Sequence, residues 1–204
     1  VARVNTEYRE GAKERIITAA LEIAAERGWE AMTLDAIAQK IGVTTPALYS
    51  YFKNRDALQD EVVLRVIQLN QADMEATLSR DDIGVRELVR EYAALPYTRL
   101  QGHSRLLSNL PIRFLENPDQ RRKLARYYQK YSAITRDCLA RAQARGEIPP
   151  QVDIDHATRL INTLSIGLHV TSLFMEKVDP DREIALWIEA VERILLLGPQ
   201  DMRQ

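Results

Sequence analysis

The chain has a single cysteine, Cys138, in 204 residues, which excludes an intrachain disulfide and fits a reducing compartment. No apolar run approaches the roughly 18 residues needed to cross a bilayer. The stretch from Val1 to Gly11 is polar and of mixed charge, so neither a membrane partner nor a secretory signal is expected, and the expected location is cytoplasmic. The eight glycines are scattered singly, which leaves no glycine-rich loop to cradle a phosphate. The three histidines, His103, His156 and His169, have no metal-ligand spacing and no nearby His-Glu partner. Cys138 lies mid-stripe on a helical pattern and reads as inert core rather than a nucleophile. The expectation is therefore of no enzyme activity, no metal and no cofactor.

Excess positive charge is lacking too. The formal net charge is −1, which taken alone argues weakly against a nucleic-acid partner. Distribution matters more than the sum. From Ala36 to Arg55 there is no acidic residue, whereas Lys40, Lys53 and Arg55 are all present, so this window can face phosphate.

What the sequence does have is helical periodicity. No segment alternates as a strand would, and glycine and proline sit mainly at the ends of periodic segments. The expected fold is all-α with about nine helices in total, as a three-helix unit over 1–55 followed by a larger helical bundle over 56–204. The first helix is expected over about Gly11 to Arg27, with Ile16, Ala20, Ile23 and Ala24 on one stripe and Gly28 as its stop. Asn54 caps a fourth helix running to about Ser79, and Pro96 kinks or ends a helix that begins at Val85. Asn117-Pro118-Asp119 opens a long helix that Gly146 ends. Asp153 and Pro180 start the last two.

The segment from Thr33 to Phe52 carries the most information. Leu34, Ile37, Ala38 and Ile41 fall at i, i+3, i+4 and i+7, with Thr33 as N-cap and Asp35 suited to the helix dipole. Gly42 can adopt the left-handed cap, and Thr45-Pro46 then reads as N-cap and N1 of the next helix, which Leu48 and Phe52 anchor. Thr44, Thr45, Tyr49 and Ser50 are left facing outward. A short helix with an exposed N-terminus suits a major groove. A hairpin buried in a core would show the same helix-Gly-helix pattern. The run Leu48-Tyr49-Ser50-Tyr51-Phe52-Lys53-Asn54-Arg55 departs from it, with two tyrosines and two cations beside a helix too short to need them inside.

These residues resemble the TetR (tetracycline repressor) family closely. The matching runs are Thr33 to Ala38, Gly42-Val43-Thr44 and Leu48 to Leu58, with Ile16 to Gly28 similar to the family's first helix. The resemblance implies that Thr33, Tyr49 and Lys53 contact phosphates and fix register. It implies that Thr44, Thr45, Pro46 and Ser50 meet bases, and that Tyr51 does either or packs. Arg3, Arg9 and Lys13 are candidates for further contacts, set against plain solvated surface. No Arg or Asn in the third helix is poised for a bidentate base contact, so phosphates should supply much of the affinity.

The partners implied are double-stranded operator DNA, a small-molecule effector and a second copy of the chain in a homodimer. Ile184, Trp187, Ile188, Val191, Ile194 and Leu195 form an apolar stripe on the last helix; the preceding helix offers Leu160, Ile161, Leu164, Leu168 and Leu173. Paired with their mates these make a four-helix interface, centred on Leu164, Leu168, Trp187, Ile188, Val191, Ile194 and Leu195, with Gly167 permitting close approach. The alternative is that the stripes close each subunit's own core. Candidates for the effector pocket are Tyr92, Tyr97, His103, Phe114, Tyr127, Tyr131, Asn162, Ser165, His169 and Phe174, polar or aromatic on otherwise apolar helices. For each, core packing is the competing reading. Asn162, Ser165, His169 and Ser172 share one helical face, which suits either a ligand cavity or a hydrogen-bonded seam between subunits. The mechanism implied by the resemblance is a population shift in which effector tilts the fourth helix and moves the reading heads away from the roughly 34–36 Å spacing of B-form DNA. Repression is the family's usual mode. A helical scaffold that no longer binds DNA is the other function class, and Tyr49 and Lys53 argue against it.

Overall fold

A computed structural model describes residues 2–97, 106, 116–171 and 178–198, with side chains described from 7 onward except at 169 and 170. Among these residues there are eight α-helices and no strand. We number them α1 (Ala2–Arg27), α2 (Leu34–Ile41), α3 (Thr45–Tyr49), α4 (Arg55–Leu78), α5 (Val85–Ala94), α6 (Pro118–Ala144), α7 (Ile154–Thr171) and α8 (Pro180–Ile194). Single turns of 3₁₀ helix cover Trp29–Ala31 and Leu95–Tyr97.

The chain divides into two compact units, Val1–Asn70 with Gly102–Phe114, and Gln71–Gln101 with Leu115–Gln204. The expected boundary after residue 55 falls inside the first unit. The reason is apolar: Leu58, Val62 and Val66 on the first half of α4 are fully buried in the same core as α1 to α3. Cutting after residue 55 would strip that core of side chains worth roughly 1.5–3 kcal/mol each.

In the first unit, Ile16, Ala20, Ile23 and Ala24 of α1 meet Ile37 and Ala38 of α2, Leu48 of α3 and Phe52. The helix α1 begins well before Gly11, where the sequence suggested its start. Its early residues are used: Arg9 donates to the Ser50 carbonyl at 3.0 Å, Lys13 pairs with Glu61 at 3.4 Å, and Glu14 pairs with Arg65. Those contacts offset the modest cost of a glycine in a helix interior.

In the second unit, Val85 and Val89 of α5, Leu139 and Ala142 of α6, Ala157 and Ile161 of α7, and Trp187 and Val191 of α8 form the core with Leu195. Pro96 ends α5 rather than kinking it, in the turn Leu95–Tyr97. Gly84 precedes α5 without a side chain to cap it, so the Glu147 carboxylate accepts from the Val85 N–H. Burial pushes that carboxyl up, but Arg145 at 2.5 Å and the Val85 N–H outweigh it and hold it below the usual range. Asn117, Asp153 and Asp179 cap α6, α7 and α8 through their side chains, as their positions before each helix suggest. No helix among the described residues is long and apolar enough to cross a membrane.

Candidate nucleic-acid interface

The α2–α3 corner is built as the sequence suggests, with one shift. Thr33 caps α2, its Oγ1 accepting from the Ala36 N–H at 3.1 Å. Gly42 takes the left-handed conformation at φ 71°, which turns the chain. Thr44, not Thr45, is then the N-cap of α3, so Pro46 sits one place deeper in the first turn than expected. Thr44 makes no side-chain capping bond. Thr45 is drawn elsewhere: its hydroxyl donates to Asp35 Oδ1 at 2.6 Å, a partner ten positions upstream on α2.

Leu48 is 1% exposed and plugs the corner, whereas its neighbour Tyr49 is 56% exposed. Thr33, Thr44, Pro46, Ser50 and Lys53 are exposed, and Thr45 and Tyr51 are half-buried. Every residue assigned to DNA is at least partly open to solvent. Ser50 turns its hydroxyl back to the Ala47 carbonyl at 2.7 Å. Tyr51 lies under the Arg9 guanidinium, 5.9 Å from the ring centroid.

Arg9 was a candidate only for solvent or phosphate. With the Ser50 carbonyl and the Tyr51 ring it instead clasps the end of α3, a link 41 positions long that leaves no local trace in sequence. The cations of the acid-free window also divide. Lys40 pairs with Glu22 at 2.9 Å. Arg55 donates to the carbonyls of Met32 at 2.9 Å and Trp29 at 2.5 Å, stapling the loop before α2. Lys53 alone of the three is exposed with no ion pair among the described residues.

The second unit gathers several of the pocket candidates. The Tyr92 hydroxyl donates to the Tyr131 hydroxyl at 3.0 Å, the Trp187 Nε1–H donates to Ser165 Oγ at 3.0 Å, and the Ser165 hydroxyl donates to the Ile161 carbonyl at 2.8 Å. Tyr127 stacks on Tyr131 at 6.4 Å. Burial holds all three tyrosines in the neutral form, with Tyr127 pushed up to about 12. Beside them is a cavity of about 30 Å³, lined by Leu78, Tyr92, Thr135, Cys138, Ile161 and Trp187 among others. That is room for about two waters. Asn162 is fully buried, and neither its Oδ1 nor its Nδ2 has a hydrogen-bond partner among the described residues. Asn162 thus faces its own unit's interior rather than a seam between subunits. Tyr97 is half-buried in the turn after α5. His103, Phe114, Phe174 and the His169 side chain lie outside the described residues.

The stripe expected to meet a second subunit needs correction. Trp187, Val191 and Leu195 are buried in their own unit's core and have no surface left for a partner. Leu164, Leu168, Ile188 and Ile194 are half-buried. The open apolar face is the neighbouring one. Leu160, Thr163 and Leu164 of α7 with Leu186, Glu189, Ala190, Arg193 and Ile194 of α8 line a groove of about 530 Å³. Leu160 is 43% and Leu186 49% exposed. Gly167 has open space where a Cβ would stand.

Comparison with known proteins agrees with this geometry. A family model described as bacterial regulatory proteins of the tetR family matches residues 16–62. Another, described as the C-terminal part of BetI-type transcriptional repressors, matches residues 84–196. The HTH-type transcriptional repressor ComR of Escherichia coli is 23% identical over 190 residues, covering 88% of this chain and 90% of that protein. A transcriptional regulator of the TetR/AcrR family from Thermobifida fusca superposes with a TM-score of 0.65 at 24% identity, covering 95% of this chain and 100% of that one. The regulator FadR of Bacillus subtilis, solved in complex with stearoyl-CoA, gives a TM-score of 0.63 at 21% identity over 89% of this chain and 97% of that one.

Proposed function

The chain belongs to the tetR family of bacterial regulatory proteins, and from that membership we propose a homodimeric, cytoplasmic repressor that holds operator DNA with its first unit and releases it when a small uncharged molecule enters its second. The observation that carries the DNA-binding part is the contrast within α3. Leu48 is sunk in the core while Tyr49 stands 56% exposed beside Thr44, Pro46, Ser50 and an unpaired Lys53. Tyr49, Lys53 and Thr33 grip phosphates, and the turn and first residues of α3 enter the groove.

Dimerisation uses the exposed groove on α7 and α8 rather than the buried stripe. Two copies related by a two-fold axis would bury Leu160, Leu164, Leu186, Ala190 and Ile194 against each other, with Glu189 and Arg193 at the rim. The dimer supplies the second reading head that a single small module lacks.

The effector reading rests on Asn162. A buried amide with both ends unpartnered costs roughly 1–3 kcal/mol per orphaned group, which a ligand carrying a donor and an acceptor would recover. The cavity beside Tyr92 and Trp187, which Asn162 itself does not line, has only uncharged side chains on its wall, which favours an uncharged ligand. A regulator of the same fold, FadR of Bacillus subtilis, is solved in complex with stearoyl-CoA, which supports a ligand site in such a fold. The cavity is small, so binding must select a more open state of the bundle. Met74 and Leu78, on the end of α4, pack with Leu88, Tyr131 and Cys138 in a smaller apolar cluster of the second unit, and the same helix supplies Leu58 and Val62 to the core of the first. Displacing them is the step proposed to weaken DNA binding.

Anisotropy titration against duplex DNA flanking the chain's own gene, with and without candidate uncharged ligands, tests the proposal. Binding that a ligand dissolves is the expected result. Failure to bind duplex DNA at low salt would favour a helical scaffold instead.

A further inference from the structure

The reading surface has few hydrogen-bond donors left to offer. Val43 to Ser50 contains no Arg, Lys, Asn or Gln, the side chains that make bidentate contacts to guanine or adenine. It contains the hydroxyls of Thr44, Thr45, Tyr49 and Ser50, and each hydroxyl has one proton to donate. Thr45 gives its proton to Asp35 at 2.6 Å and Ser50 gives its proton to the Ala47 carbonyl at 2.7 Å. Tyr49 stands with the phosphate-facing group. Among these hydroxyls, Thr44 alone is both exposed and uncommitted at the front of α3.

What the surface does offer is carbon. Val43 is 41% exposed, and Thr44, Pro46 and Ala47 are exposed around it. They lie in the turn before α3 and in its first turn, on the same short element as the exposed Tyr49, so the occupant assigned to them is the duplex proposed for Tyr49 and Lys53. Of the four base pairs, only those with thymine present a methyl group to the major groove, at C5.

We propose that this protein reads its operator chiefly through thymine methyl groups packed against Val43, Thr44, Pro46 and Ala47, rather than through hydrogen bonds to base edges. The inference rests on the DNA-binding reading above and specifies what that site recognises. Half-sites should carry thymines on either strand at the positions α3 faces.

The test starts from the full chain and a random-sequence duplex pool, from which a bound duplex is selected. That duplex is then resynthesised with deoxyuridine in place of thymidine, one half-site position at a time, and titrated by anisotropy. Each contacted thymine that loses its methyl should weaken binding roughly fourfold, the equivalent of one buried carbon group. The salt dependence should not change, because no phosphate contact is touched. Thr44→Ser, which removes the methyl and keeps the hydroxyl, should bring the thymidine-to-deoxyuridine ratio toward one at its position. Thr44→Val, which keeps the methyl, should preserve that ratio.

Equal affinity for the two duplexes, or selected half-sites without thymine, would overturn the inference while leaving DNA binding intact. Absence of binding to any duplex at low salt would overturn the DNA-binding reading itself, and this inference with it.

Discussion

The Thr45 hydroxyl donates to Asp35 Oδ1 at 2.6 Å, so the first turn of α3 is tied to the first turn of α2 by side chains alone. A carboxyl group is an odd neighbour for a surface proposed to approach phosphate. Its use here is positional: the bond holds the first turn of α3 against α2.

Thr45→Val should therefore cost about 1 kcal/mol of stability in the first unit. It should also narrow the gap between the affinity for a selected duplex and for random duplex. The salt slope should stay as it is. Denaturant titration and paired anisotropy measurements check the two effects separately.

Lys53 and Arg55 are two residues apart and do different work. Lys53→Ala should weaken binding on every sequence and lower the slope of log K against log salt by about 0.9, one phosphate contact. Tyr49→Phe should weaken binding on every sequence as well. Arg55→Ala removes bonds to the Met32 and Trp29 carbonyls, so its loss should appear first as a lower melting temperature.

The two faces of α8 give opposite expectations. Leu186→Glu places a charge in the open groove and should yield folded monomer by light scattering. Leu195→Ala cuts into a fully buried site and should destabilise by about 2–5 kcal/mol while leaving the dimer assembled.

Asn162→Leu should stabilise the protein without ligand, because it removes a buried amide with both ends unpartnered. The same substitution should abolish ligand-induced release from DNA. A variant that is destabilised instead would mean that the amide is satisfied in solution, and the effector reading would lose its main support.

Alkaline pH offers a test of the buried tyrosines. Tyr127 is pushed up to about 12 by burial first and by Tyr131 second, against an ordinary value of 10.0. The unfolded chain then loses the proton before the folded one does. Stability from this group is complete below pH 10.0 and declines as pH rises toward about 12. Urea midpoints should fall over that window in the parent protein, and fall less steeply in Tyr127→Phe.

The parts of this molecule that were legible in sequence are the short-range ones. Thr33, Gly42 and Asn54 each act through neighbours within a turn or two, and their roles follow from spacing and backbone preference. The cap of α3 was displaced by one residue because Thr44 and Thr45 are both good N-caps. What separates them is Asp35, which spacing along α3 does not reveal. Sequence leaves Arg9 between phosphate contact and solvated surface and Arg55 in a window able to face phosphate, because their carbonyl partners lie far along the chain. Of the stripe expected at the dimer face, Leu164 and Ile194 line the open groove whereas Trp187, Val191 and Leu195 turn inward, for a geometric reason. On α8 and its C-cap, Trp187, Val191 and Leu195 repeat every four residues, and so do Leu186, Ala190 and Ile194 on the adjacent stripe. Periodicity marks both stripes as apolar and cannot say which faces in.

The most direct test of the whole account is the salt dependence of binding to a selected duplex, measured side by side for the parent protein, Lys53→Ala and Leu186→Glu. The account predicts a steep slope for the parent, a slope shallower by about 0.9 for Lys53→Ala, and loss of specific binding in the monomeric Leu186→Glu. Three indistinguishable curves would contradict it.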